Sequence, residues 1–347
     1  MKNILLTGCS GFIGYHLAKK LLSKSYKVIG IDNMNSYYDV SLKESRLNYL
    51  INEPNFDFIN VDISSQSLLT LINDDIDIII NLAAQAGVRH SIDRPSDYTT
   101  SNLVGFSNIL ELARTKNSRV IYASTSSVYG ANENQPFSEL NIADHPIQYY
   151  AATKRANEIM AHSYSAMYKI ESIGLRFFTV YGPFGRPDMA LFKFTENILK
   201  GLPIQVYNNG NHIRDFTYID DIVEGVVRAS DDIAVSDNSW SSDHPNPDTS
   251  LAPFRIFNIG NNQPVKLGGY IKAIEEALNK TALKKMLPLH PGDVPDTYAD
   301  SSKLAQNLGY QPSTPVKEGV KQFVKWFLND FQSMDQRQKS EILQEMA

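Results

Sequence analysis

The chain predicts an α/β fold: a doubly wound parallel sheet over residues 1–180, then a smaller mixed α/β domain over 181–330 and a polar C-terminal tail over 331–347. Three observations carry this. Apolar stretches such as 76–82 alternate with helix-like stretches as far as residue 178, and strands that are apolar throughout belong to parallel sheets covered by helices on both faces. A glycine-rich turn links the first such stretch to the first helix. The alternation stops after Tyr181. A chain of 347 residues also exceeds the size at which one core keeps growing, so two lobes are expected.

Residues 2–7 read as the first strand. Gly8-Cys9-Ser10-Gly11-Phe12-Ile13-Gly14 follows, and 12–23 carries apolar residues at helical spacing (Phe12, Ile13, Leu17, Leu21, Leu22). Residues 28–31 form a second strand ending in Asp32, 41–51 a helix, 56–61 a third strand ending at Asp62, and 65–72 a helix. The fourth strand, 76–82, runs into Ala83-Ala84-Gln85-Ala86-Gly87. A long helix over 98–116, a fifth strand over 120–123, a second long helix over 150–168 and a sixth strand over 173–178 complete the series. Residues 182–187 are rich in Gly, Pro, Arg and aromatic residues, and 231–253, rich in Asp, Ser, Asn and Pro, reads as an ordinary surface loop. Residues 254–259 are a strand, and 267–279 and 315–329 are helices. Segments near 216–230 and 254–260 are expected to rejoin the first domain.

Composition narrows the function. Hydrophobic content of 42% and charged content of 20% are those of a soluble globular chain. A net charge of −5 argues against nucleic acid or a membrane surface as partner. The one cysteine, Cys9, excludes a disulfide framework, and the seven histidines show no paired spacing, so no metal is expected. No apolar run approaches the roughly 18 residues of a membrane-spanning helix. These features point to a reducing cytoplasm.

The glycine turn lies between a strand and a helix, where glycines let a pyrophosphate approach the free N–H groups of the helix N-terminus. Its spacing, Gly-x-x-Gly-x-x-Gly, is the looser form. Asp32, 18 residues after Gly14, stands where a carboxylate bonds the adenosine ribose and repels a 2′-phosphate, which favours NAD over NADP. Asp62, at the next strand end, is placed to reach the adenine or to cap the helix after it.

The stretch 119–154 carries the chemistry. The fifth strand empties into Ser124-Thr125-Ser126-Ser127, and Tyr150 and Lys154 sit four apart on one helical face. A phenol beside an ammonium, with a hydroxyl nearby, suits removal of a proton and a hydride from a secondary alcohol. A phenol titrates at about pH 10, so it must be lowered by about 3 to serve as a base near neutrality; the ammonium and a cationic nicotinamide ring both act in that sense. With 18 tyrosines, a chance Tyr-x-x-x-Lys is expected, and Tyr15 with Lys19 reads as one, on a solvated helix face.

Gly-x-x-Gly-x-x-Gly, Asn81-Leu-Ala-Ala84, Ser-Val-Tyr-Gly130, Tyr150-x-x-x-Lys154 and Arg214-Asp-Phe-x-Tyr-Ile-Asp-Asp221 together resemble the extended short-chain dehydrogenase/reductase family over residues 1 to 330. Within it, Gln85-Ala-Gly-Val-Arg89, the block from Leu175 to Ala190 and Pro291-Gly-Asp293 are most similar to UDP-glucuronate 4-epimerases. The resemblance implies a Rossmann-type first domain, a UDP-sugar-binding second domain, and NAD that stays bound and is regenerated each turnover. Its cofactor surface falls on Gly8, Gly11, Phe12, Ile13, Gly14, Asp32, Asp62, Ile63, Leu82, Ala83, Ala84, Tyr150 and Lys154. It implies that Tyr150 takes the O4 proton, Thr125 hydrogen-bonds O4, and Lys154 holds the nicotinamide ribose and lowers the Tyr150 pKa. Related 4,6-dehydratases carry Asp-Glu where this chain has Ser126-Ser127, and related decarboxylases carry Glu at Ser127, so serine argues against both.

A 4-keto uronate is a β-keto acid and loses CO₂ unless its carboxylate is held out of line. Arg186 is the candidate fork for it, with Thr179, Ser126 and Ser127 as hydroxyl donors. The diphosphate falls to Arg214 and Arg89, with Arg214 preferred. The uridine ribose falls to Asp293, and the uracil side to Lys193, Gln205 and Tyr207. His290 stands where related galactose epimerases have a phosphate-binding arginine. His90, Tyr129 and Trp326 are read as structural. The resemblance further implies a homodimer through helices 98–116 and 150–168. Alternatives are a UDP-N-acetylglucosamine or UDP-glucose 4-epimerase, and further off a UDP-glucuronate decarboxylase or a non-catalytic NAD-sensing regulator.

Overall fold

Strands buried on both faces can satisfy their backbone groups only through neighbouring strands, and the apolar stretches of the first half do so. The computed structural model describes residues 2–290 and 292–332; Pro291 and the tail from 333 lie outside the described residues. In chain order the elements are β1 (Asn3–Thr7), α1 (Phe12–Ser23), β2 (Lys27–Asp32), α2 (Val40–Asn48), β3 (Phe56–Asn60), α3 (Leu68–Leu71), β4 (Ile78–Asn81), α4 (His90–Asp93), α5 (Pro95–Tyr98), α6 (Gly105–Lys116), β5 (Arg119–Thr125), α7 (Tyr149–Tyr168), β6 (Ser172–Phe177), β7 (Thr179–Tyr181), α8 (Ala190–Leu199), β8 (Ile204–Val206), β9 (Ile213–Tyr218), α9 (Ile219–Asp231), β10 (Phe254–Ile259), β11 (Pro264–Lys266), α10 (Leu267–Leu278), β12 (Lys284–Met286), β13 (Asp296–Thr297), α11 (Ser302–Leu308) and α12 (Val316–Trp326).

Seven strands form one parallel sheet in the order β10-β6-β5-β4-β1-β2-β3. Leu5 pairs with Ile29 on one side and Ile79 on the other. Successive side chains alternate between faces: Ile4, Leu6, Ile78 and Ile80 enter a core with residues of α1 and α9, while Leu5, Ile29, Ile79 and Val120 enter a second core with Ile109 and Leu112 of α6. Because β1 lies between β2 and β4, the winding reverses there, and a crevice opens beyond the carboxyl ends of the strands. A second sheet is built on β9, which pairs with β7 and β13 in parallel and with β11 antiparallel. β8 and β12 form a short parallel pair.

The structure differs from the sequence expectations in several places, among them a helix expected over 315–329 that turns π-helical after Trp326. The helix expected over 65–72 is the single turn α3, because only Leu68 is buried while Leu69 and Leu71 are exposed. The helix expected over 98–116 is α-helical only in α6; residues Thr99–Val104 are π-helical. That widened turn seats the buried Asn102, which accepts from the Gln85 N–H at 2.8 Å and donates to the Gln85 carbonyl and the Thr153 hydroxyl at 3.1 and 3.0 Å. The sixth strand ends at Phe177, and the chain leaves for the second sheet as β7. Tyr15 is not on a solvated face: it is 2% exposed and packs against Phe184 and Tyr49, with the Lys19 ammonium 5.5 Å from its ring.

Behind the strand ends lies a buried ionic cluster. The Glu158 carboxylate on α7 accepts from Arg176 of β6 through two bonds of 2.9 Å, from Arg155 at 2.8 Å and from the Ser124 hydroxyl at 2.6 Å. Burial alone would raise the Glu158 pKa, but the Arg176 charge and fork, helped by Arg155 and Ser124, outweigh it and hold the pKa below the usual range. Removing one member leaves an uncompensated buried charge. Glu158→Gln should therefore cost about 3 kcal/mol in urea unfolding followed by fluorescence. Since the folded pKa is depressed, the wild-type advantage is present at neutral pH and is lost as pH falls through the folded value; equal stability of both proteins at pH 7 would refute this.

Candidate active site

The turn after β1 is shaped by backbone contacts that exclude side chains. Gly8 has φ +72°, and a Cβ there would lie 2.9 Å from the Ala83 nitrogen. A Cβ at Gly14 would lie 2.0 Å from the Gly8 carbonyl oxygen. The Gly8 and Gly11 N–H groups donate to Ile31 O and Gly8 O at 2.7 and 2.9 Å. The fully buried Arg46 locks the turn from α2, donating to Ser10 O (3.0 Å), the Tyr38 hydroxyl (2.7 Å) and Phe184 O (2.7 Å). Thr7 donates to Asn81 at 2.7 Å and accepts from the Ala83 N–H at 3.1 Å, which ties β1 to β4 at the winding reversal.

Around this turn is a cavity of about 410 Å³. Every residue assigned above to the cofactor lines it: Gly8, Gly11, Phe12, Ile13, Gly14, Asp32, Asp62, Ile63, Leu82, Ala83 and Ala84, with Tyr150 and Lys154 at the other end. A cradle that a Cβ would fill, facing a helix N-terminus and flanked by a strand-end carboxylate, fits a dinucleotide. Asp32 accepts from the Ser10 and Met34 N–H groups at 3.2 and 2.9 Å, and the buried Lys43 ammonium stands 3.7 Å away. Asp62 accepts from the Ser64 N–H and hydroxyl and from Asn33 at 2.6 Å; burial would raise its pKa, but these bonds lower it.

Thr125, Ser126, Ser127, Thr179 and Arg186 line the same cavity. Thr125 ends β5, and its hydroxyl accepts from the Ser127 N–H at 3.2 Å, starting a 3₁₀ turn over Ser126–Tyr129. Tyr150 and Lys154 are one turn apart on α7. Burial raises the Tyr150 pKa above the usual phenol value, and the Arg186 charge together with the Thr125 hydroxyl opposes it. Lys154 is itself lowered to about 8 by burial, with Glu158 acting in the opposite direction. In the protein alone, the cation that favours the phenolate is Arg186.

The expected free fork of Arg186 is partly taken. Its Nε and Nη2 donate to Asp188 Oδ1 and Oδ2 at 2.9 and 2.5 Å, and the Tyr37 hydroxyl donates to Asp188 Oδ2 at 3.2 Å. Arg89, Lys193, Gln205, Tyr207, Arg214 and Asp293 do not line the cavity. Four of them form one cluster beside it: Arg89 pairs with Asp293 at 2.8 Å and lies 4.2 Å over the Tyr207 ring, and Tyr207 donates to Gln205 at 2.9 Å. Arg214, preferred above for the diphosphate, instead grips main-chain carbonyls of Ile213 (3.0 Å), Val294 (2.6 Å) and Pro295. Lys193 is exposed on the first turn of α8.

Sequence reasoning did not pick out Lys43, Tyr37, Asp188 or Glu158 as members of the site. Asp188 was the most accessible, two residues beyond Arg186. Lys43 and Tyr37 reach the cavity only through the path of the β2–α2 connection. A buried Lys154 with a lowered pKa also predicts a conflict between stability and function. At pH 7 the charged ammonium is disfavoured by the fold, and the cost shrinks as pH rises from about 8 to the unfolded value of about 10.4. Lys154→Met should thus stabilise the cofactor-free protein by about 1–3 kcal/mol at pH 7, a gain that vanishes near pH 10 in denaturant titrations.

The model of the NAD dependent epimerase/dehydratase family matches residues 4–246. The protein CapI of Staphylococcus aureus is 51% identical over 328 residues, covering 94% of this chain and 98% of that one. A probable UDP-glucuronate 4-epimerase of Rhizobium meliloti is 46% identical over 327 residues, covering 93% and 96%. The crystal structure of the UDP-glucuronic acid 4-epimerase of Bacillus cereus, in complex with UDP-glucuronic acid and NAD, superposes with a TM-score of 0.82 at 33% identity, covering 93% of this chain and 98% of that one. The family match spans the glycine cradle and the stretch that carries Thr125, Tyr150 and Lys154, and the chain belongs to the NAD dependent epimerase/dehydratase family.

Proposed function

We propose that the protein is an isomerase that interconverts UDP-glucuronate and UDP-galacturonate with bound NAD, through a transient 4-keto sugar and without loss of CO₂. The observation that carries the reading is the set of groups around Tyr150. Thr125 and Arg186 act on the phenol, Ser126, Ser127 and Thr179 offer hydroxyls, and the carboxylates lining the cavity are Asp32 and Asp62, which follow β2 and β3 rather than β5. Dehydration needs an acid and a base beside the sugar C5–C6 bond, and decarboxylation is favoured by a carboxylate next to the threonine; neither stands there. The Rhizobium relative's name and the ligands of the Bacillus cereus structure support the same substrate.

Bound NAD supplies the acceptor for the C4 hydrogen and returns it to the opposite face of the sugar. This chain's residues do the rest. Tyr150 removes the O4 proton and gives it back, so a phenol held near balance by burial against Arg186 and Thr125 serves in both directions. Thr125 hydrogen-bonds O4. Lys154, buried at the cavity wall, holds the nicotinamide ribose. Arg186 receives the sugar carboxylate, helped by Thr179, Ser126 and Ser127. The cluster of Arg89, Tyr207, Asp293 and Gln205 receives the nucleotide when Asp293 exchanges its arginine for ribose hydroxyls, and Arg214 shapes the loop that carries Asp293. Residues 1–180, rejoined by segments near 216–230 and 254–260, form the cofactor domain, and the rest of 181–330 forms the UDP-sugar domain. The single cysteine, buried at Cys9, suits a reducing compartment such as the cytoplasm.

Helix α7 and the residue that precedes α6 also carry large apolar side chains on the surface. Ile159, Met167, Tyr168 and Tyr149 of α7 are exposed, as is Val104 just before α6. Such a surface is covered in a homodimer that packs the two helices against their copies.

Purified protein incubated with UDP-glucuronate and no added NAD should yield UDP-galacturonate by proton NMR, whereas UDP-xylose or unchanged substrate overturns the reading; UDP-N-acetylglucosamine and UDP-glucose in parallel test the neutral-sugar alternative. Tyr150→Phe should lower kcat by at least about a hundredfold while NAD released by denaturation stays at the wild-type amount. Light scattering should give twice the chain mass, and Ile159→Glu should give the single-chain mass; a wild-type monomer rules out the homodimer.

A further inference from the structure

Arg186 is held more elaborately than a surface arginine. A guanidinium has two bidentate edges, Nε with Nη2 and Nη1 with Nη2. Asp188 takes the first edge at 2.9 and 2.5 Å. The Tyr37 hydroxyl donates to the same Asp188 oxygen that Nη2 uses, at 3.2 Å, and the guanidinium carbon lies 5.9 Å from the Tyr37 ring centre. Tyr37 arrives from the β2–α2 connection and passes over Gly87, where a Cβ would lie 2.4 Å from its hydroxyl. Three separate stretches, around residues 37, 87 and 188, therefore meet to fix one side chain that lines the cavity.

We infer that Asp188 and Tyr37 are positioning residues: they clamp Arg186 by one edge so that its Nη1 edge receives the sugar carboxylate in a fixed plane, and this protects the 4-keto sugar from decarboxylation. The inference rests on the UDP-glucuronate reading above. The chemistry needs such a clamp. In the 4-keto uronate, CO₂ leaves when the C5–C6 bond aligns with the C4 carbonyl π system. The bond breaks, its electron pair enters the carbonyl to form an enolate, and C5 then takes a proton from water. An arginine free to rotate about its last torsions would follow the carboxylate into that alignment. One clamped through a charge-assisted fork imposes its own plane. The ion pair persists at working pH: burial would raise the Asp188 pKa, but Arg186 and the Tyr37 hydroxyl lower it, while Asp188 raises that of Arg186 despite burial. The opposite role for Asp188 is that of a competitor, which gives up the arginine when the substrate arrives. The two roles predict opposite signs.

The test uses the full chain with its NAD, as wild type, Asp188→Asn and Tyr37→Phe, each given UDP-glucuronate. Products are read by NMR, CO₂ is trapped per turnover, and UDP affinity is measured by calorimetry. For Asp188→Asn we expect KM for UDP-glucuronate to rise about tenfold, as for a weakened charge-assisted bond, with a smaller change in kcat and unchanged UDP affinity. CO₂ per turnover should rise at least about tenfold over wild type, with Tyr37→Phe moving the same way by about threefold. An Asp188→Asn protein that binds UDP-glucuronate as tightly as wild type or more tightly, or that releases no more CO₂, overturns the clamp. If Asp188→Asn does not fold, Tyr37→Phe decides, and wild-type KM and CO₂ in that variant overturn it. Wild-type protein that makes no UDP-galacturonate overturns the functional reading itself, which is a separate result.

Discussion

The Glu158 carboxylate has no exposed surface, and four hydrogen bonds from three side chains converge on it. It ties α7, which carries Tyr150 and Lys154, to two neighbouring strands of the first sheet: β6, which carries Arg176, and β5, which carries Ser124 one residue before Thr125. Arg176 extends the link, lying 4.8 Å under the ring of Tyr129, whose hydroxyl donates to Asn258 on β10 at 2.6 Å. This buried ionic cluster thus helps to set the phenol on a helix against the hydroxyl on a strand end, together with the pairing of β5 with β6 and the 2.7 Å bond between Ser165 of α7 and Ser172 of β6. Such a cluster costs desolvation and contributes little net stability, but it tolerates few alternative arrangements because each would strand a charge. Here its effect is to hold helix and strand ends in register.

Electrostatics divide the site into two ends. At the turn after β1, negative charge is arranged for a ribose, with Asp32 and Asp62 held by backbone N–H groups and by Lys43 and Asn33. At the β5 end, positive charge is arranged for an anion, with Arg186 inside and Arg89 and Arg214 beside the cavity. The phenol of Tyr150 stands at the positive end, between burial, which favours its proton, and Arg186, which disfavours it. That same guanidinium is tied to Asp188, so the charge felt by the phenol comes from one member of an ion pair.

Much of this was legible from residue order. The alternation of apolar strands and helices, the turn at Gly8, the carboxylate at Asp32 and the pair Tyr150 and Lys154 are local patterns, each tied to a strand end that the fold places on the same edge of the sheet. Ser126 and Ser127 were legible for the same reason, since their position after Thr125 is a matter of chain order. What residue order did not show was pairing at a distance. Lys154 shares a helical face with Tyr150, and the structure adds a second cation, Arg186 from the loop after β7, whose charge acts on the phenol. Arg214 matched a family block, and only the fold shows that its Nη groups also donate to carbonyls that lie some 80 residues away in the chain. Tyr15 looked like a solvated residue until Phe184 came across to cover it.

By itself the amino-acid sequence determined the parallel sheet, the dinucleotide turn and the order in which hydroxyl, phenol and ammonium follow one another, because hydrophobic period, glycine and motif spacing act over a few residues. Only the tertiary structure decided which charge neutralises which: Glu158 with Arg176, Arg186 with Asp188 and Tyr37, Arg89 with Asp293. Ion pairing falls off with distance in space rather than along the chain, and burial strengthens it severalfold over its value in water. A list of residues cannot rank such partners until the fold has brought them together.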